Sequence, residues 1–415
     1  MRVSLPSTSI ELGTDEFRQR QMRARRSGNP AWLWPEVSAD SWAEAAAQIG
    51  AATSAVLRSE PAVLGACDPA AMSLAGYTSG VGPLLGWWLE NRLLSASPEI
   101  GDLFRLHLEH GRVRAQRMEA RSRETVDRLA QRDVPTIILK GGHTAHLYFP
   151  DPATRPASDL DLLVPSSHIG AAETVLTQAG LRCASRKPRE SAWTQPGTGS
   201  EPRSLWLVHA DDPWPVDLHN SLDFSACPGA TPVRLDAAGP FQNPEPWPVH
   251  PAAGVLRQPL LLLHLAVHAS GGLHSLTLLR MVEIGLIVRQ DSANGRLSWD
   301  EFLAMAERTN GLGAAYPALA MCEKLAPGTI PSKVLGRSAE RAPPRVRAIV
   351  EKLEPASAHR VNRASIAEHF MWVSGFSGWM RQLKFDLAPE AAPTQSIREI
   401  YEARAYRLLR GRISR

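Results

Sequence analysis

Asp159 and Asp161 stand two apart in the segment DLDLLV, residues 159–164. Alternation along a strand puts both carboxylates on one face. Two such groups repel unless a cation lies between them, and hard oxygen ligands favour Mg²⁺ or Mn²⁺. The triplet alone is weak evidence, because most acidic residues sit in solvated turns. Its surroundings add to it. Upstream, the β-branched run Thr136–Leu139 ends at Gly141-Gly142, with 16 residues between Gly142 and Asp159. A glycine turn that opens a helix offers bare N–H groups and the positive end of the helix dipole to a phosphate. A third acid, Asp217, falls in the later strand-like segment PVDLHN. Three carboxylates from two strands, facing a phosphate cradle, are what two-metal phosphoryl or nucleotidyl transfer requires.

Further residues gather around this set. Lys140, one of only six lysines, precedes the glycines and has the reach to touch a triphosphate; the alternative is a strand-end ammonium turned to solvent. Arg155, four residues before Asp159, either clamps a phosphate or pairs with a metal-binding carboxylate. His219 shares the strand face of Asp217, as a general base, a substrate contact or a support for a metal ligand. His264 and His268 lie one turn apart on a helix; Leu265 follows the first, where a zinc protease needs Glu. These two histidines either border the substrate cleft or fill a helix interface. Glu283, an acid in an apolar helix, is a weaker candidate.

The elements that position these groups are mostly helical. Ala43–Leu57 and Gly101–Gln131 read as helices, the second with apolar residues near helical spacing. Strands are expected at Thr136–Leu139, Asp159–Val164, Leu181–Ser185, Ser204–His209 and Pro215–Leu218. A helical stretch over His143–Tyr148 and a helix over Ser167–Ala179, ended by Gly180, fall between them. Lys187–Arg203 reads as a polar loop that makes a hairpin excursion. Eight prolines in the 35 residues Ser225–Pro259 suggest a linker or a wrapping segment. Helices resume at Leu260–Ala269 and Leu276–Val288. The division is 1–132 helical, 133–255 an α/β core with its Pro-rich linker, and 256–415 helical again.

Composition sets the outer bounds. At 415 residues, 44% hydrophobic and 21% charged, the chain has ample apolar surface for a packed core. No apolar run reaches the roughly 18 residues of a membrane span. Four scattered cysteines suit a reducing compartment, and no secretory leader is evident, so a cytoplasmic location is expected. Net charge is +4, but Met1–Pro30 carries six Arg against three acids and Ile397–Arg415 six against two. Subtracting those seven positive charges leaves the body between them at −3. A nucleic-acid binder more often spreads basic residues over its folded body, so a nucleic-acid partner and templated polymerisation are not expected.

The linked set Leu139-Lys-Gly-Gly, Arg155-x-x-x-Asp159-x-Asp161 and Val216-Asp-Leu-His resembles the polymerase-beta-type nucleotidyltransferase superfamily. More closely, it resembles a bacterial family of uncharacterised nucleotidyltransferases, often encoded near peptide natural-product clusters, lasso peptides among them. The resemblance is strong over about 90 residues. It extends weakly to the helix of His264 and His268 and to the basic tail, Tyr401–Arg412. It implies an α+β fold with a small mixed sheet, flanked by N- and C-terminal helical regions. It also implies metal ligands at Asp159, Asp161 and Asp217, and triphosphate contacts at Gly141 and Gly142. The superfamily's usual Gly-Ser is Gly-Gly here, so a phosphate-binding hydroxyl is missing, for which Thr144 is the stand-in.

The expected activity is Mg²⁺- or Mn²⁺-dependent transfer of a nucleoside monophosphate from an NTP, with ATP the leading candidate. The acceptor is a hydroxyl on a small molecule or ribosomal peptide. Phosphotransfer from the same NTP site and a catalytically silent binding protein are the alternatives. The segment Leu260–Val288, with His264, His268 and His274, is expected to close over the cleft and choose the acceptor.

Overall fold

In the computed structural model the described residues are 15–27, 30–197, 202–273, 276–357, 370–388, 398 and 401. The N-terminal helices are α1 (Asp15–Ser27), α2 (Ala39–Leu57), α3 (Pro69–Ser79), α4 (Gly82–Glu90) and α5 (Pro98–Ala130). Three of them, α2, α3 and α5, start at side-chain caps. Ser38 accepts from the Ser41 N–H, Asp68 from those of Ala70 and Ala71, and Ser97 from that of Ile100. Pro69 and Pro98 occupy first-turn positions, where the missing N–H costs nothing.

The central part holds β1 (Thr136–Ile138), α6 (Lys140–Leu147), β2 (Leu160–Leu163), α7 (Ile169–Gln178), β3 (Arg182–Arg186), β4 (Glu190–Thr194) and β5 (Val216–His219). A short α8 (Gly239–Gln242) leads to β6 (Glu245–Trp247) and β7 (His250–Val255). All seven strands form one mixed sheet in the order β3-β4-β5-β2-β1-β7-β6. Beyond it run α9 (Leu260–Ser270), α10 (Leu278–Ala293), α11 (Trp299–Arg308), α12 (Leu312–Leu325), α13 (Ser332–Arg341), α14 (Pro344–Lys352) and α15 (Gly375–Leu387). The fold is α+β, as expected, and no helix among the described residues is long and apolar enough to cross a membrane.

Three readings of the loops are corrected. Ser204–His209 is not a strand: Leu205 and Trp206 pack against Trp34 and Leu74 instead. The Trp34 indole donates to the Leu205 carbonyl at 2.8 Å, so this run's polar backbone is satisfied outside the sheet. Lys187–Arg203 makes the expected hairpin, but it is not all loop: it contains β4, which joins β3 to β5 and buries Trp193. The supposed linker Ser225–Pro259 contains β6 and β7, and β7 runs parallel to β1, one strand in from the edge of the sheet. Its prolines gave the misleading signal. Pro246 sits on the edge strand β6, where a missing N–H is tolerated. Gly254 lets Pro244 and Ile137 close in, since a Cβ there would lie 2.4 Å from one and 2.8 Å from the other.

The two faces of the sheet meet different helices. Leu160, Leu162, Val216 and Leu218 pack on Val126 and Leu129 of α5 and on Val175 and Leu176 of α7. Ile137 and Leu163, on the other face, join Leu262 and Leu263 of α9 and Ile284 of α10. Asp161 alternates with Leu162 and therefore shares the face of Leu163. The strand period thus directs Asp161 toward the C-terminal helices. One apolar cluster runs through α2–α5, the sheet and α9–α14.

Candidate active site

Register brings the carboxylates together. β2 and β5 pair in parallel with Asp161 opposite Asp217 and Leu163 opposite His219. Asp159 lies just before β2. Oxygen atoms of Asp159, Asp161 and Asp217 lie within 4.8 Å of one another. Buried like charges this close raise the cost of ionisation. Burial pushes the Asp159 carboxyl up, and Asp161 adds to the push. Asp217 is pushed up to about 6, first by burial and then by Asp159 and Asp161.

Asp161 goes the other way. Burial alone would raise it, but the hydrogen bond from His219 and the charge of Lys140 hold it well below the ordinary carboxylate range. Its Oδ1 accepts from Lys140 Nζ at 2.6 Å and from His219 Nε2 at 2.9 Å. His219 Nδ1 faces Glu190 Oε2 at 3.7 Å. Of the three roles open to His219, this geometry matches support of a neighbouring carboxylate. Lys140 is buried rather than solvated.

The turn before α6 differs from a glycine turn. The residue in the left-handed region is Lys140, with φ of 45°, while Gly141 and Gly142 form the first turn of the helix. The glycines serve close packing. A Cβ on Gly141 would fall 2.2 Å from Arg155 Nη1, and one on Gly142 would fall 2.8 Å from Ile138 Cγ2. Gly142 also gives its carbonyl to the Trp247 indole at 2.9 Å.

Arg155 pairs with none of the three aspartates. Its Nε donates to Glu283 Oε1 of α10 at 2.9 Å, and both side chains are almost wholly buried. The Thr144 hydroxyl also meets Glu283 Oε1 and lies fully buried, so it is committed there rather than open to a phosphate. Burial opposes the charge on Glu283, but Arg155 and Arg280 hold its carboxyl down at about 2. A residue that seemed marginal in the sequence thus joins the sheet to the C-terminal helices.

Over these groups lies a cavity of about 490 Å³, within the size range of small-molecule sites. Lys140, Gly141, Arg155, Asp159 and Asp161 line it, together with His268 and Arg280 from the C-terminal helices. Tyr77 and Arg114 enter from the N-terminal helices. Arg114 holds two loops, donating to the carbonyls of Ala157 at 3.0 Å and Asp212 at 2.6 Å. His264 is buried beside the site; burial first, then the charges of Lys140 and His219, takes it down to about 3. His268 is likewise held well below its ordinary value, chiefly by burial. His274 and the tail from residue 402 onward lie outside the described residues. Tyr77, Arg114 and Arg280 were not singled out in the sequence. Arg280 alone carried a signal, as a cation three residues from Glu283 in an apolar helix.

The donor set fits a hard divalent cation. Three carboxylates converge, and Asp217 Oδ1 is buried with no hydrogen-bond partner among the described residues. A cation would supply that partner and relieve the repulsion that raises Asp159 and Asp217. No curated protein and no solved structure matches the chain. The sequence pattern of a family described as uncharacterised nucleotidyltransferase matches residues 77–327, more than half of the chain and the whole span that lines the cavity. The chain therefore belongs to the uncharacterised nucleotidyltransferase family.

Proposed function

We propose that the protein transfers a nucleoside monophosphate from an NTP, ATP first among them, to a hydroxyl of a small molecule or ribosomal peptide. The observation that carries this reading is the carboxylate trio with its orphaned Asp217 oxygen: two of its members, Asp159 and Asp161, line a cavity that also holds Lys140 and Arg155. Mg²⁺ or Mn²⁺ held by Asp159, Asp161 and Asp217 would offset phosphate charge and make the acceptor hydroxyl more acidic. Lys140 and Arg155 face the phosphate chain, and the N–H groups of the first α6 turn add the helix dipole. His219 fixes the orientation of Asp161. Asp217, through the oxygen not given to the cation, takes the acceptor proton as the acceptor oxygen bonds to the α-phosphorus. The bond from that phosphorus to the bridging oxygen breaks, and pyrophosphate leaves.

His268 on the cavity wall supports a part for α9 in contacting substrate, whereas His264 supports the helix interface. The test is incubation of the protein with Mg²⁺, each labelled NTP and fractionated small-molecule and peptide extracts. Pyrophosphate release together with a nucleotidylated acceptor in the mass spectrum is the expected result. Release of nucleoside diphosphate with a phosphorylated acceptor would replace this reading with phosphotransfer.

A further inference from the structure

Glu283 is shared by two arginines. Its Oε1 accepts from Arg155 Nε at 2.9 Å, and its Oε2 accepts from Arg280 Nη1 at 3.3 Å. Arg280 and Glu283 are three apart on α10, so they meet on one helix face. One carboxylate thus tethers two guanidiniums, leaving one positive charge uncompensated within the group. Arg155 Nη2 is buried and has no hydrogen-bond partner among the described residues. Arg280 remains about a quarter exposed. Both arginines line the cavity of Lys140 and Gly141. Buried guanidinium donors left without an acceptor are costly, and an anion in the cavity would satisfy them. Arg114, which also lines the cavity, is partly committed already, because two loop carbonyls take its Nε and one Nη1 donor.

We propose that Arg280 is a second arginine of the NTP site. With Arg155 it grips the phosphates that leave with pyrophosphate, and Glu283 is the positioning residue that aims both. The inference rests on the nucleotidyl-transfer reading and specifies its phosphate subsite. A phosphate chain fits better than a single carboxylate, because three cations converge here and planar guanidinium forks match phosphate oxygens in pairs. It also means that α10 contributes to nucleotide binding as well as forming the cover of the cleft.

The experiment titrates the full chain calorimetrically, in Mg²⁺, with ATP, inorganic tripolyphosphate and adenosine. Arg280→Met is expected to weaken ATP and tripolyphosphate by a similar factor, about tenfold to a hundredfold, and to leave adenosine unchanged. Arg280→Lys, which keeps the charge but loses the fork, should recover part of the loss. If Arg280→Met melts well below the wild type, the Arg280→Lys result decides. Glu283→Gln should raise the KM for NTP with kcat nearly held; a fall in kcat at unchanged KM overturns the positioning role. Wild-type protein that binds neither ATP nor tripolyphosphate overturns the nucleotidyl-transfer reading and this inference together. Wild-type binding with full affinity retained in Arg280→Met overturns this inference alone. So does a variant that loses ATP but not tripolyphosphate, or one that loses only acceptor use.

Discussion

Replacing Glu283 by Ala removes one carboxylate from three donors, and its cost can be worked in two ways. Breaking a buried ion pair by deleting one partner costs about 3–5 kcal/mol, because the remaining charge is stranded. Here the stranded group is Arg155, which is 5% exposed and keeps only a 3.4 Å contact to the Pro156 carbonyl. Independently, a carboxyl held at about 2 instead of its ordinary 4.5 favours its ionised form by about 3 kcal/mol. Chemical denaturation followed by circular dichroism should therefore show Glu283→Ala destabilised by about 3 kcal/mol or more. The same substitution made on Arg155→Met should cost less, since only Arg280, about a quarter exposed, then loses its partner.

The sign of the pH dependence follows from the depressed value. The stabilisation is complete above about pH 4.5 and is lost as pH falls toward 2. Glu283→Gln should flatten that part of the profile. A loss below about 1 kcal/mol, or an equal loss on both Arg155 backgrounds, would refute the claim that this ion pair ties α10 to the site.

Other outcomes follow from the same geometry. Asn at 159, 161 or 217 should abolish pyrophosphate release; the melting temperature of the metal-free protein should hold or rise for Asp217→Asn, where repulsion is relieved. It should fall for Asp161→Asn, which weakens the anchors of Lys140 and His219. Equal shifts in the two variants would contradict the assigned partners. Gly141→Ala should weaken NTP binding by about tenfold in calorimetry, since its Cβ displaces the Arg155 guanidinium; ordinary helix propensity alone predicts a gain of about 1 kcal/mol in stability and unchanged affinity. His264→Ala should lower stability by about 2–4 kcal/mol in denaturation, as a void in a filled interface does. His268→Ala should instead raise the KM for the acceptor, and steady-state kinetics separate the two cases.

The parts of the fold that were legible in the sequence are those with local causes. Ala-rich α2, the long α5 and the Asp159–Val164 strand carry their own periodicity, and Asp161 and Asp217 advertised themselves through alternation and neighbouring glycines. The misread parts depend on partners far away in the chain. β4 becomes a strand because β5 and β3 flank it, and β7 because β1 accepts it, despite surrounding prolines. Trp206 leaves the sheet because Trp34 and Leu74 provide a better burial place. Arg155 could not be paired from sequence, because its partner lies 128 residues away and α10 looked like an ordinary core helix.

That separation has a consequence for the order in which the molecule is assembled. The strands β2 and β5, which carry Asp161 and Asp217 and follow Asp159, are complete by residue 219, and β7, which pairs with β1, is complete by residue 255. Until residue 283 joins them, a growing chain holds its acidic cluster with Arg155 unanchored and one wall of the cavity missing. Contacts of such long range form late in folding. A half-made molecule thus lacks one wall of the proposed NTP site, which is complete only with the helix that follows the sheet.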